Sequence, residues 1–203
     1  MTLKTWFKTM AILAIAVTAI ASRSWAGSIL PVPAGLSPGD QYRLVFITAD
    51  TYSAYDSNIA DYNALVTAEA DSVPALAALD TTWSVLGSTS TVSAINNIGA
   101  DPGVPIYNLE GYEIASDVPY LVTGDWYNTI LYDENGDDFE TGGQLFAWTG
   151  TQPNGQIAPC PLGNEGNCVA IGDSDLGNGG QGLDYENYSG PVRFRSTPYP
   201  AYL

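Results

Sequence analysis

The stretch that decides the fold is Tyr42-Arg43-Leu44-Val45-Phe46-Ile47-Thr48. Aromatic and β-branched residues are frequent in it, and apolar side chains fall on both of the faces that alternate along a strand. A strand with two apolar faces is typical of the buried centre of a sheet, because a half-exposed strand alternates apolar with polar residues. We therefore predict a central strand here and place the rest of the domain around it.

Two helices are predicted after this strand. The first covers Ser57–Ala70, with Asp56 or Ser57 as its N-cap. A shorter helix covers Ser72–Leu79, where a proline suits the first turn. The longer helix carries apolar residues at the spacing of one helix face, namely Ile59, Tyr62, Val66 and Ala70.

From Ser88 onward the sequence favours strands and turns. The other predicted strands are Trp83–Leu86, Pro105–Leu109, Gln144–Thr149, Val169–Ile171 and Val192–Arg195. Early helices followed by short, mostly antiparallel strands with long loops indicate an α+β fold. Neither an internal repeat nor a linker interrupts the chain, so we expect one domain.

The N-terminal segment Met1–Ala26 is typical of a secretory signal peptide. A positively charged head precedes the apolar run Met10–Val17, which is short for a membrane span, and Ser24 and Ala26 place small residues where signal peptidase cleaves. The alternative is an uncleaved membrane anchor. We expect a secreted or cell-surface protein whose mature domain, residues 27–203, has no transmembrane segment.

The composition excludes several classes of function. The absence of histidine excludes Ser-His-Asp and Cys-His catalysis and His-ligated zinc. Only 6 basic residues stand against 22 acids, so we expect no nucleic-acid partner, because phosphate neutralisation needs cations. Without the signal peptide, three arginines and no lysine oppose the 22 acids, for a net charge of −19. A saline exterior and specific cation binding both explain such a charge.

The two cysteines, Cys160 and Cys168, both belong to the exported part. In an oxidising compartment we expect them to form a disulfide that closes a short loop and stabilises the fold by roughly 2.6 kcal/mol. Metal ligation is the lesser alternative, because two thiols without histidine hardly complete a zinc site.

An acidic segment in the second half is the best candidate for a metal site. Oxygen-bearing side chains at alternating positions, a glycine for a sharp turn and a following carboxylate suit a hard cation such as Ca²⁺. The spacing departs from an EF-hand, because Gln144 holds the twelfth position in place of a glutamate. The alternative is an acidic hairpin turn built on Asn-Gly. The candidate ligands are Asp133, Asn135, Asp137 and Glu140.

Several segments of the chain carry a family resemblance. They are Asn58–Ala64, Thr82–Trp83 with Gly87–Thr89, Val104–Leu109, Ile130–Gly136 and Trp148–Thr151. Together they resemble a family of exported bacterial proteins of the PEP-CTERM type, many of which carry a C-terminal Pro-Glu-Pro sorting anchor. The segment Trp148–Thr151 with the cysteine loop after it is also similar to an uncharacterised domain family with a C-type-lectin-like, endostatin-like fold.

This resemblance implies a helix-bearing first half and a loop-rich second half closed by a disulfide. No Pro-Glu-Pro segment follows Leu203, which leaves open a released protein or an anchor outside this sequence. In calcium-dependent lectins of similar fold, a proline between two amide or carboxylate residues presents oxygens to metal and sugar. Gln152 and Asn154 flank a proline in this way, and Trp148 precedes them, so these three are the candidate ligand-binding residues. An ordinary Pro-Asn-Gly turn is the alternative.

The sequence therefore predicts a non-enzymatic exported protein of the cell surface or extracellular matrix. We expect it to bind polysaccharide or a matrix polymer through its second half, with assistance from Ca²⁺ and without an organic cofactor. Neither a GxSxG elbow nor a phosphate or dinucleotide loop occurs. The alternatives are a secreted carboxylate-based hydrolase and a purely structural adhesion module.

Calcium titration tests the acidic segment. If Ca²⁺ binds specifically, micromolar to millimolar Ca²⁺ should raise the melting temperature more than matched Mg²⁺, because a ligand of the folded state stabilises that state. Calorimetric titration at moderate salt, followed by thermal unfolding, measures both effects. Equal shifts with the two ions would indicate charge screening instead.

Overall fold

The computed structural model describes residues 33–124, 126–138, 146–164, 171–173, 193–198 and 201–202. The predicted signal peptide lies outside these residues. The elements, in chain order, are β1 Gln41–Ile47, α1 Ile59–Asp71, α2 Pro74–Ala77, β2 Trp83–Val85, α3 Ala94–Ile98, β3 Ile106–Asn108, β4 Glu113–Ala115, α4 Val118–Leu121, β5 Phe146–Trp148, β6 Ile171–Asp173, β7 Arg193–Pro198 and β8 Ala201–Tyr202.

The strands form one sheet with β1 in its interior. The strand order is β4-β3-β1-β7-β5-β6, while β2 also pairs with β7 and β8 with β1. The pairs β1–β3 and β5–β7 are parallel, and the other pairs of named strands are antiparallel. The prediction of a central strand is therefore confirmed. Each of the other predicted strands overlaps a strand of the structure, whereas β4 and β8 were not predicted.

Alternate residues of β1 enter two separate hydrophobic clusters. Leu44 and Phe46 lie in a cluster with α1, α2 and β2, where the rings of Phe46 and Trp83 meet edge to face at 4.9 Å. Val45 points to the other side, into a cluster with α3, β4 and α4. Such side-to-side alternation follows from the two-residue period of a strand. Because both faces of β1 are buried, apolar residues occur among its odd-numbered and its even-numbered positions.

Helix α1 packs on the sheet through the apolar face that the sequence predicted. Tyr62, Val66 and Ala70 are buried along it. The predicted N-cap is wrong: Asn58 caps the helix, because its Oδ1 accepts a hydrogen bond from the backbone N–H of Ala60 at 3.2 Å. The carboxylate of Asp56 instead accepts the backbone N–H of Asn58 itself, at 2.8 Å.

The sequence prediction of only strands and turns after residue 88 is also wrong, because α3 and α4 fall there. They have 5 and 4 residues, too few for a helical period to show against the surrounding strand signals. The described chain is thus a mixed α/β fold with four helices and a small sheet. In the described ranges, no helix is both long and apolar enough to cross a membrane.

A buried cation lies on the α3 side of β1. The Arg43 side chain is 1% exposed, and its guanidinium donates to the Asp101 carboxylate, whose side chain is 41% exposed. Nε and Nη1 of Arg43 have no hydrogen-bond partner in the described part of the chain. A guanidinium stays charged when buried, so this ion pair offsets a large desolvation cost.

Removing the counter-ion should therefore destabilise the fold. We expect Asp101→Ala to lower the free energy of unfolding by about 1–3 kcal/mol, less than for a fully buried pair because Asp101 is partly exposed. Urea unfolding measures the effect, and Asp71→Ala is the control that removes an equal charge from the exposed end of α1. Adding Arg43→Met to Asp101→Ala should restore part of the loss, since no buried charge then remains. Equal stability of Asp101→Ala and Asp71→Ala would contradict this role for Asp101.

Candidate functional site

The predicted metal-binding segment forms a tight turn beside the end of β1. Asp133 is buried, and its Oδ1 accepts the backbone N–H groups of Asn135 and Asp137 at 2.8 and 2.9 Å. Tyr132 and Asp138 face each other in an antiparallel bridge, which closes the turn. This is the geometry of the hairpin turn that the sequence left open as the alternative to a calcium site.

The four candidate ligands are not brought together in the described part of the chain. Asn135 and Asp137 are exposed, and Glu140 lies outside the described residues. Among the described residues, no group of three or more acidic or cysteine side chains converges as a metal site would require. The calcium site remains a prediction that the titration above tests.

The predicted sugar-binding turn is also closed by its own hydrogen bonds. Gln152 donates from Nε2 to the Ile157 carbonyl at 2.8 Å, and Asn154 accepts the backbone N–H of Gln156 at 3.0 Å. Gly155 follows with φ +75, a conformation that favours glycine. One polar atom of each amide thus serves the turn itself.

Trp148 does not offer a stacking surface to solvent. Its side chain is 2% exposed and belongs to the cluster between the sheet and α1. Its indole Nε1 donates a hydrogen bond to the Tyr52 carbonyl at 2.8 Å. Trp148 therefore binds the connection between β1 and α1, which lies 96 residues earlier in the sequence, and does not line the Gln152 turn that follows it.

That connection, Tyr52–Asp56, is held by three hydrogen bonds to alternate backbone carbonyls. Trp148 binds the first of them; the backbone N–H of Gly163 binds the Ala54 carbonyl at 2.8 Å, and the Tyr62 hydroxyl binds the Asp56 carbonyl at 2.7 Å. A side chain cannot replace Gly163, because its Cβ would lie 2.4 Å from the Asp56 oxygen and φ is +77. Three separate parts of the chain thus fix one short segment.

The fixed segment forms one side of an open cleft of about 430 Å³, which we call the tyrosine cleft. Helix α1 forms the other side. Tyr55 is 61% exposed within it, while Tyr62 is buried at its base. Burial, together with the charges of Asp56 and Asp61, raises the pKa of Tyr62 to about 12, so this hydroxyl stays protonated and keeps its hydrogen bond. The cleft is lined by Tyr52, Ser53, Tyr55, Asp56, Asp61, Tyr62 and Leu65.

A pair of carboxyl groups lies near the same end of β1 but outside the cleft lining. Glu134 is 2% exposed, and its Oε2 accepts the backbone N–H of Ala49 at 2.9 Å. Burial raises its pKa to about 7, and the neighbouring charges of Asp133 and Glu69 add to the effect. Burial raises the pKa of Glu69 on α1 as well, and the charges of Glu69 and Glu134 act on each other. Two close acids in a buried place favour sharing a proton over ionising together.

Of the two cysteines in the predicted disulfide, only Cys160 lies in the described part of the chain. Cys160 is buried and carries no free thiol. Its expected partner, Cys168, lies outside the described residues, so the pairing stays a prediction. The segment after Cys160 contributes to the cleft indirectly, because the backbone N–H of Gly163, three residues further on, donates to the Ala54 carbonyl.

Sequence reasoning placed the ligand surface in the second half and missed the tyrosine cleft. Of the cleft's connecting segment, the sequence predicted a role only for Asp56, as a candidate N-cap of the helix. The segment between the buried strand and the helix carries two tyrosines three positions apart, which is its only local signal. Its contacts with Trp148 and Gly163 span about a hundred residues of sequence and leave no local pattern.

Neither a scan against models of known protein families nor a search of curated proteins matches this chain. Functional inference consequently rests on the described residues and their contacts.

The carboxyl pair makes a prediction for pH dependence. Glu134 has a pKa of about 7 when folded, above the ordinary 4.5, so the folded state holds a proton that the unfolded state releases between these values. Its contribution to stability is therefore present below pH 4.5 and is lost as the pH rises to about 7. Glu134→Gln keeps an oxygen for the Ala49 amide without the charge, and it should gain on the order of 1–3 kcal/mol over the native chain by pH 8.

Urea unfolding of both proteins at pH 4, 6 and 8 measures this difference (roughly spanning the two pKa values). Glu110→Gln is the control that removes one carboxyl elsewhere. A difference between the native chain and Glu134→Gln that does not change with pH would contradict the proposed proton sharing.

Proposed function

We propose that this chain is an exported, non-enzymatic protein of the cell surface or extracellular matrix that binds polysaccharide in the tyrosine cleft. The observation that carries the proposal is an exposed aromatic ring, Tyr55, on a segment fixed by three hydrogen bonds. Aromatic rings pack against the apolar faces of sugars, and carboxylates such as Asp56 and Asp61 accept their hydroxyl hydrogens. Ligand sites commonly combine a few placed polar groups with aromatic walls.

The rigidity of the Tyr52–Asp56 segment favours the tyrosine cleft as the binding site over the predicted turns at Asp133 and Gln152. A binding segment that is already fixed loses little conformational freedom when a ligand arrives, which favours affinity. The Tyr52–Asp56 segment satisfies this condition, and within the cleft the side chains of Tyr55, Asp56 and Asp61 are exposed. In the turn at Gln152, by contrast, the amide groups are partly used by internal hydrogen bonds.

The proposal includes three finer features. Export by the N-terminal signal peptide and assistance from Ca²⁺ at the Asp133 turn follow from the sequence patterns, and a C-type-lectin-like arrangement of the domain is implied by the family resemblance. The mixed α/β fold with its helices mainly in the first half is compatible with that arrangement. Each of these features is separable from cleft binding, and the Ca²⁺ titration tests the metal site by itself.

A secreted hydrolase is the second candidate, since Glu69 and Glu134 are paired carboxyls with raised pKa values. Both Glu134 oxygens accept hydrogen bonds, from Ala49 and Asn135. These contacts favour a structural role, and release of reducing ends from a bound polysaccharide would instead favour the hydrolase.

A glycan array with and without Ca²⁺, followed by calorimetry on the best oligosaccharide, tests the binding proposal. Tyr55→Ala should weaken binding roughly tenfold, because one stacking contact of about 1 kcal/mol and the area around it are lost. Tyr112→Ala is a matched control, since Tyr112 is similarly exposed, at 55%, and lies outside the cleft. An array without any bound glycan, or equal losses for both variants, would contradict the proposal.

A further inference from the structure

We propose that the tyrosine cleft selects saccharides that carry a protonated amine, such as amino sugars that are not acetylated. This inference rests on the proposed function and names the chemical class of its ligand. Three independent features of the cleft support it: the overall charge, the paired carboxylates and the exposed aromatic ring.

The charge of the chain favours cations at every accessible site. The mature chain has three arginines against 22 acids. Arg43, whose side chain belongs to the described part, is buried and paired with Asp101, so it does not serve the cleft. A field of this sign concentrates cationic ligands and repels anionic ones such as polymers of uronic acids.

Asn58 holds two carboxylates at the cleft in a fixed arrangement. Its backbone N–H binds Oδ1 of Asp56 at 2.8 Å, and its side-chain Nδ2 binds Oδ2 of Asp61 at 2.9 Å. Each carboxylate keeps a second oxygen without a hydrogen bond in the described part of the chain. Both side chains are exposed and line the cleft. Two such oxygens suit an ammonium group, which donates up to three hydrogen bonds.

The aromatic ring completes a site for an organic cation. Tyr55 is the most exposed large hydrophobic residue in the described chain, and it lines the same cleft as Asp56 and Asp61. The face of a tyrosine ring attracts an ammonium group through its quadrupole, and it packs equally well on the C–H face of a sugar. An amino sugar offers both partners in one residue, whereas a simple cation offers only the first.

The cleft, of about 430 Å³, is a shallow depression with a wide opening to solvent. The cleft is open, so a sugar within a longer polymer can occupy it while its neighbours remain in solvent. A neutral polysaccharide would use the ring but leave both carboxylates without a charged partner.

Calorimetry on the mature chain with four probes tests the inference. The probes are a glucosamine oligomer, the N-acetylated oligomer of the same length, a uronic-acid oligomer and spermidine. We expect the glucosamine oligomer to bind at least about tenfold more tightly than its acetylated form, and binding to weaken as salt rises. The uronic-acid oligomer should not bind.

A double substitution tests the carboxylates. Asp56→Asn with Asp61→Asn keeps the acceptor oxygens for Asn58 and removes both charges, so the preference for the glucosamine oligomer over its acetylated form should disappear. Asp71→Asn with Asp80→Asn is the matched control; it changes the net charge equally at exposed positions outside the cleft. Thermal unfolding of each variant confirms that it is folded.

The outcomes separate this inference from the proposed function. Equal binding of the acetylated and free oligomers, lost in Tyr55→Ala, would overturn amine selection and leave polysaccharide binding intact. Spermidine binding as tightly as the glucosamine oligomer would overturn the requirement for a sugar. Equal losses in the two double variants would show that net charge acts without the cleft. Failure of every saccharide to bind would overturn both proposals.

Discussion

Burial of β1 on both of its faces is the constraint on which the rest of the structure depends. Its residues pack alternately into the α1 cluster and the α3–α4 cluster, and β3 and β7 pair along its two edges. A strand in this position cannot shift by one residue, because every side chain would exchange one core for the other. The end of β1 is thereby fixed, and with it the connection that carries Tyr55.

The tyrosine cleft shows how a surface loop acquires a defined shape from distant residues. Its segment has little regular structure of its own, yet Trp148, Gly163 and Tyr62 bind its alternate carbonyls. Backbone carbonyls near a core need partners, and here those partners come from a strand, a turn and a helix. The exposed side chains between the fixed carbonyls are then held at the surface, where a ligand can reach them.

Buried and exposed acidic residues differ in how their charge is accommodated. Asp133, which is buried, is satisfied by backbone amides, while the close acids Glu69 and Glu134 have raised pKa values and so favour a shared proton. Exposed acids such as Asp56 and Asp61 face solvent. Burial thus neutralises or satisfies a carboxyl group, whereas exposed carboxylates are solvated by water.

The sequence by itself determined the central strand, the long helix and the mixed fold class, because periodicity and two-sided apolarity are local properties that β1 and α1 carry within a few residues. It did not determine α3 and α4, whose few residues hold no period, nor the cap at Asn58. Only the tertiary structure decided that Trp148 is a buried anchor and that Tyr55, Asp56 and Asp61 share a cleft. The physical reason is that the Trp148–Tyr52 contact joins residues 96 positions apart, and that the shape of the cleft depends on how α1 packs on the sheet and not on any local pattern.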